Sequence, residues 1–287
     1  MKFFFLSFRK ILDLYFLRLI FSKKILLKFY PLIAVGESKR MFRHPLWLTV
    51  DVIGYPDFKI KVDDFFEFPF KSNSIKVLYS SHNIEHISHI GVEKLIKEAY
   101  RVLKQGGEFL IDLPCSRKAY NMIKIYSENN ENITLRDYLS GLEITEFAFE
   151  KSLSKIPWNK KFTRENVLHP YNSIINGILA SFMDPAYNSP LLPVIHDPTE
   201  IDQKIISLSM DDFFKYVSDS VPIELRYTGG HCETWYDDKL ANLLRENGFA
   251  VSIRYHKQSK LLHGFMVPDR DFERRDKWSF KLSAIKV

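Results

Sequence analysis

Cysteine is almost absent from this chain: Cys115 and Cys232 are the only two among 287 residues. Two thiols so far apart set up no disulfide framework, and no Cys-x-x-Cys pair offers a metal or redox motif. A reducing cytoplasm is the expected compartment. No metal site is expected either. His82, His86 and His89 have no cysteine nearby, and the His82…His86 spacing lacks the Glu directly after the first His that zinc proteases use. No stretch free of charge is long enough to span a bilayer. The apolar start, Phe3 to Phe8, is too short for a secretion-signal core and no small-residue cleavage site follows it. Glycine is sparse at 11 residues while hydrophobic residues reach 46%, a composition of packed globular proteins rather than disordered ones. There is no internal repeat, low-complexity tract, phosphate-cradling loop or serine-hydrolase elbow. The length suits one large α/β domain carrying an insertion.

Positive charge is present but uneven. The net charge is +6, yet residues 1–43 hold ten Lys or Arg against only Asp13 and Glu37. The rest of the chain carries 31 basic and 33 acidic residues. A nucleic-acid-binding domain wants its basic face on the folded body, so a nucleic-acid partner is not expected. Within residues 1–30, Arg9, Lys10, Asp13, Lys23, Lys24 and Lys28 share one broad helical face, and Leu, Ile and Phe fill the other. This pattern predicts an amphipathic basic helix. It has two uses: packing on the body or on a second subunit of a homodimer, or lying on an anionic membrane surface at the inner face of the membrane.

The richest stretch runs from Phe65 to Pro114. A turn at Pro69 to Ser74 leads into an apolar run, Ile75 to Tyr79. A polar cluster follows, Ser80-Ser81-His82-Asn83-Ile84-Glu85-His86. Val92, Leu95, Ile96, Ala99, Tyr100 and Leu103 then keep helical spacing, with Glu93 and Lys97 as an (i, i+4) pair. Gly106-Gly107 reads as the left-handed helix stop, and Phe109 to Leu113 as the next strand. Strand, polar loop, helix, strand is the repeat of an open parallel sheet, whose ligands sit at the carboxyl ends of strands. Glu85 and His86 are expected in the first helical turn, where the helix dipole favours a carboxylate.

Elsewhere, Leu32 to Val35, Leu46 to Val50 and Phe58 to Val62 read as strands 1 to 3. Between 119 and 227 strong strand runs are absent. Helical stretches at Leu142 to Leu153, Tyr171 to Ser181 and Met210 to Val217 alternate with Pro- and Asn-rich loops, which predicts a helical insertion or lid. Trp235 to Asn247 reads as a helix ending at Gly248, followed by strands at Phe249 to Tyr255 and Trp278 to Val287.

The run PFKSNSIKVLYSSHNIEH, followed by RVLKQGGEFLIDLP, resembles the class I S-adenosylmethionine-dependent methyltransferases of the type 11-like group. The later words His231-Cys232-Glu233-Thr234-Trp235-Tyr236-Asp237 and Gly248-Phe249 recur in a subset of that family. The likeness covers roughly 32–118 and 228–287. It implies a Rossmann-like α/β fold: a seven-stranded, mostly parallel sheet with an antiparallel last strand, interrupted by the insertion at 119–227 and preceded by the 1–30 helix. It implies S-adenosylmethionine as cofactor and a small metabolite or sugar-type acceptor, methylated on O or N. By the same likeness Gly36, Asp51, Asp64 (with Asp63 next) and Ser81 border the cofactor. Ser38 stands where the family places a second glycine, so the glycine-rich loop is degenerate.

An imidazole can take a proton at neutral pH. His82, at the tip of the polar loop, is the first choice of base, and His231 the second. Three readings stay open at this point: the methyltransferase, another nucleotide-ligand transferase on the same sheet, and a cofactor-free binding or scaffold protein, which Ser38 keeps in play.

The amino-terminal pattern yields a direct test. Each Lys or Arg near an anionic surface contributes about 1 kcal/mol, and such binding weakens with salt. Full-length protein should co-sediment with anionic vesicles at low salt and be released at high salt, and a 1–30 deletion should stay in solution. Full-length protein that ignores the vesicles, with a deletion that unfolds, would make the helix a structural element instead.

Overall fold

The computed structural model describes residues 28, 32–36, 47–52, 55–63, 65–118, 120, 121, 124, 198–219, 233–253 and 279–287. Short apolar runs become strands. They are β1 (Leu32–Val35), β2 (Leu48–Asp51), β3 (Phe58–Lys59), β4 (Ile75–Ser81), β5 (Leu103–Pro114), β6 (Phe249–Ser252) and β7 (Ser279–Lys286). The central ones, β1, β2 and β4, are buried on both faces as parallel sheets require. They form one seven-stranded sheet in the order β3-β2-β1-β4-β5-β7-β6. β1 to β5 pair in parallel, and β7 runs antiparallel to both β5 and β6. This is the expected mixed sheet with an antiparallel last strand, and β4 and β5 are parallel neighbours as the motif predicts.

The helices are α1 (His89–Val102), α2 (Pro198–Ser207), α3 (Met210–Asp219) and α4 (Asp237–Glu246). One face of the sheet offers Ile33, Val35, Leu78, Phe109, Ile111 and Leu282 to a core shared with α1 and α4. Ala34, Trp47, Val77, Tyr79 and Leu110 are buried on the opposite face. Among the described residues no helix is long and apolar enough to cross a membrane. The expected 1–30 helix, apart from Lys28, and the helices at 142–153 and 171–181 lie outside the described residues. Within the expected insertion, α2 and α3 are described.

Several boundaries differ from the sequence reading. α1 starts at His89 because Ser88 caps it, its hydroxyl accepting the Gly91 N–H at 3.1 Å. It stops at Val102 because Leu103 turns extended to pair with Ile75 of β4. Gly106-Gly107 is therefore no helix stop. Gly106, at φ +70°, lies in the irregular stretch of β5 between the Leu103 and Glu108 pairings. Strand 3 is two residues long rather than five; Ile60 and Val62 pack on the core without continuing the ladder. Glu85 and His86 are not on α1 but in a separate 3₁₀ turn, Ile84–His86.

Three charged residues tie α1 to the sheet and to the turn before β4. Lys286 of β7 donates to the carbonyls of Tyr100 (2.6 Å) and Leu103 (3.0 Å) at the end of α1, and to Asn73 Oδ1 (2.8 Å). A distant strand thus satisfies carbonyls that the helix end leaves open. Glu98 and Arg101 hold the turn before β4. Arg101 makes two hydrogen bonds to Glu98 and donates to the carbonyls of Phe68 and Phe70, while the Phe68 N–H donates to Glu98 at 2.7 Å.

Burial would raise the Glu98 carboxyl. The hydrogen bonds from Arg101 and Phe68, with the Arg101 and Lys94 charges, outweigh it and hold the group below its ordinary 4.5. A native value below the unfolded one adds stability at pH above 4.5 that is lost as pH falls through the lowered native value. Glu98→Gln should therefore destabilise the protein at pH 7 by about 2 kcal/mol, the scale of a charged hydrogen bond. The gap to wild type should close in acid, as read by denaturant melts at both pH values.

Candidate active site

The chain runs outward from β1 to β2 and β3, then returns to lay β4 on the other side of β1. A reversal of this kind opens a crevice at the carboxyl ends of the two central strands, where open α/β sheets bind ligands. Gly36, Asp51 and Ser81 stand at the carboxyl ends of β1, β2 and β4, three adjacent strands, with His82 next to Ser81. The structure thus brings four of the six residues singled out from the sequence to one edge. His231 and Asp64 lie outside the described residues, as does Ser38.

Gly36 is at φ +77°, a conformation that favours glycine. Its N–H donates to Val50 O at 2.8 Å. A Cβ at this position would sit 2.2 Å from Cγ of Asn83, so only glycine allows the turn after β4 to close against the end of β1. Asn83 in turn donates to the Ser80 hydroxyl at 3.5 Å. Asn83 was missed in the sequence, and its place on the far side of the crevice explains why a glycine is needed at 36.

Asp51 is half-buried and its Oδ1 accepts the Val52 N–H at 2.6 Å. The loop beyond it is fastened by Asp57, which accepts both the N–H (3.0 Å) and the hydroxyl (3.3 Å) of Thr49. Asp63, the second choice for an adenine contact, holds its own turn by accepting the Phe65 N–H at 3.1 Å. A glycine with positive φ beside a strand-end acid fits a nucleoside-containing ligand: the backbone permits close approach and the carboxylate accepts ribose hydroxyls.

His82 is also left-handed, at φ +46°, a region in which His, Asn and Asp are enriched. Its N–H donates to Asp112 O at 2.9 Å. The ring is addressed from both ends. Nε2 lies 3.1 Å from Ser279 Oγ, and Nδ1 lies 3.6 Å from Glu85 Oε1. The same Glu85 oxygen lies 3.9 Å from His86 Nε2. Ser279 was missed because it stands 197 positions from His82.

Around this turn is a polar wall. Asp112 of β5 is buried and sits opposite Ser81 on one side and Lys281 of β7 on the other. Burial pushes the Lys281 ammonium down to about 8, with the Asp112 charge opposing that shift. The Glu233 N–H donates to Glu85 O at 3.4 Å, so the segment before α4 docks on the His82 turn. His89 stacks on Trp235 with centroids 5.7 Å apart, and Lys239 sits 4.9 Å from the same ring.

The loop after β5 is fixed to that segment. The Ser116 N–H donates to Trp235 O, and Arg117 pairs with Asp237 (3.2 Å) and Asp238 (2.7 Å) over the Tyr236 ring. Burial, with Asp211 adding to it, pushes the Tyr236 hydroxyl up to about 12. Burial likewise raises the Cys115 thiol, which keeps it protonated and inert as a nucleophile.

Residues 42–111 match the family model described as a methyltransferase domain. No protein of curated function matches the chain. Solved structures similar to it include an S-adenosylmethionine-dependent methyltransferase from Mesorhizobium loti, at 11% identity and a TM-score of 0.39, covering 94% of this chain and 95% of that one. A methyltransferase from Archaeoglobus fulgidus aligns at 11% identity and a TM-score of 0.36, covering 99% of each chain. A Rickettsia typhi protein solved in complex with AdoHcy aligns at 11% identity and a TM-score of 0.34, covering 90% of this chain and 49% of that one. The matched segment holds β2, β3, β4, most of β5 and the turn that carries His82. A segment similar to a methyltransferase domain is thus built into a sheet of the expected order.

Proposed function

We propose that this protein is an S-adenosylmethionine-dependent methyltransferase that acts on the O–H or N–H of a small metabolite or sugar-type acceptor. The observation that carries the reading is the reversal of strand order between β1 and β4, which brings Gly36, Asp51, Ser81 and His82 to one edge of the sheet. S-adenosylmethionine supplies an electrophilic methyl group when bound. The chain's own contribution is to hold the ligand by the Gly36 backbone and the Asp51 carboxylate, and to receive the acceptor's proton on the His82 side. Ser81, buried opposite Asp112, stands at the same edge. A basic amino-terminal helix would place such an enzyme at a membrane surface, near an acceptor made there.

Calorimetry with S-adenosylhomocysteine tests the reading. Wild type should bind at micromolar concentration, and Asp51→Ala should weaken binding about 10- to 100-fold, the scale of a charged hydrogen bond. No heat at millimolar ligand would favour the cofactor-free scaffold instead. His82→Asn, which keeps a residue suited to φ +46°, should leave that affinity unchanged. With any acceptor that supports turnover it should lower the rate about 10²- to 10⁴-fold, the usual contribution of a positioned base. A full-rate His82→Asn enzyme would remove general-base catalysis by this residue from the account.

A further inference from the structure

Both ring nitrogens of His82 face groups that the family likeness does not assign. Glu85 Oε1 lies 3.6 Å from Nδ1, and Ser279 Oγ lies 3.1 Å from Nε2. The Glu85 side chain is only 4% exposed and that of His82 is 24% exposed, so this carboxylate faces the imidazole with little water to screen it. Ser279 is buried and opens β7 opposite Pro114, where β5 ends. Acid, imidazole and hydroxyl therefore stand in a row at the carboxyl edge of the sheet. The row is drawn from the turn after β4 and from a strand that is paired not with β4 but with β5.

We propose that Glu85, His82 and Ser279 form a proton relay, in which Ser279 receives the acceptor's proton and passes its own to His82. This deepens the methyltransferase reading and rests on it for the identity of the reaction. Glu85 Oε1 stands at ion-pair distance from Nδ1, 3.6 Å, and its negative charge favours the tautomer that carries its hydrogen on that side. Nε2 then has a lone pair and accepts from the Ser279 hydroxyl. At Oγ one O–H bond breaks toward Nε2 while another forms from the acceptor. At His82 one N–H bond forms, giving an imidazolium that Glu85 stabilises and that later releases its proton to solvent. Acid, imidazole and hydroxyl are the parts of the serine-hydrolase triad, used here to move a proton rather than to form a covalent bond. Ser279 touches the acceptor; His82 and Glu85 act through it as positioning residues.

The other titratable groups around the ring are His86 on the same turn, Asp112 of β5 with its partner Lys281 of β7, and Glu233 from the segment before α4. Glu85, 3.6 Å from Nδ1 and 4% exposed, is the acid whose removal should act on the imidazole.

NMR titration of the imidazole nitrogens in the full chain tests the relay without cofactor or acceptor, with the His82 signal assigned by its loss in His82→Asn. Neutral His82 should carry its hydrogen on Nδ1. Glu85→Gln should lower its titration midpoint by about one pH unit, the low end for loss of an adjacent opposite charge. If Glu85→Gln does not fold, Glu85→Asp, which withdraws the carboxylate, should shift the midpoint in the same direction. A hydrogen on Nε2 in the wild type, or a midpoint that neither variant moves, would overturn the relay even if methyl transfer is established. In turnover, Ser279→Ala should lose as much rate as His82→Asn at unchanged KM, and Ser279→Thr should restore part of it. A full-rate Ser279→Ala enzyme would equally overturn the relay. If S-adenosylhomocysteine does not bind while the NMR coupling holds, the methyltransferase reading fails and the acid–imidazole–hydroxyl arrangement stands.

Discussion

The site depends on a close approach between two backbone turns. β1 ends at Gly36, whose positive φ turns the chain away, and Asn83 of the turn after β4 comes within a distance that no side chain at 36 would allow. Adding a Cβ there would require both relief of the collision with Asn83 and a left-handed alanine, the latter costing about 1–2 kcal/mol. Because β1 and β4 are the strands where the sheet reverses direction, this contact fixes the mouth of the crevice. Asp51 on one side and Ser81 and His82 on the other take their places relative to it.

The two sides of the crevice are built differently. The β2 side is held by short-range bonds, with Asp57 folding back on Thr49 and Asp63 closing its own turn. The β5 side is held by long-range ones. Ser279 reaches His82, Glu233 reaches Glu85, and Arg117 reaches the start of α4. The local side suits a site for a ligand common to a whole superfamily. The long-range side carries the relay, and with it the chemistry that would distinguish one acceptor from another. Lys286 and the Glu98–Arg101 pair hold α1 against the sheet behind both sides.

How much of this was legible follows from the range of each interaction. β4, α1 and β5 were readable because their apolar spacing is local and their strands are buried on both faces. The strand-end position of Ser81 was readable from the same segment, and those of Gly36 and Asp51 from the apolar runs at 32–35 and 46–50. Strand 3 was read too long because Phe58, Ile60 and Val62 alternate like a strand while only the first of them lies in the ladder. Gly106 was misread because a left-handed glycine serves a strand irregularity as well as a helix end. Ser279 carried no signal at all. Its meeting with His82 is set by the register of β7 on β5, which sequence spacing does not encode.

The central claim is that the β1–β4 crevice is where the ligand binds. Backbone amide NMR of the full chain, titrated with S-adenosylhomocysteine, tests it residue by residue. The account predicts that the amides of Gly36, Asp51, Val52 and Ser81 to Asn83 shift together and saturably, while those of Ala250 and Ile285 on the β6–β7 edge stay in place. Amides at the crevice that remain unmoved at millimolar ligand, or shifts confined to the far edge of the sheet, would contradict it.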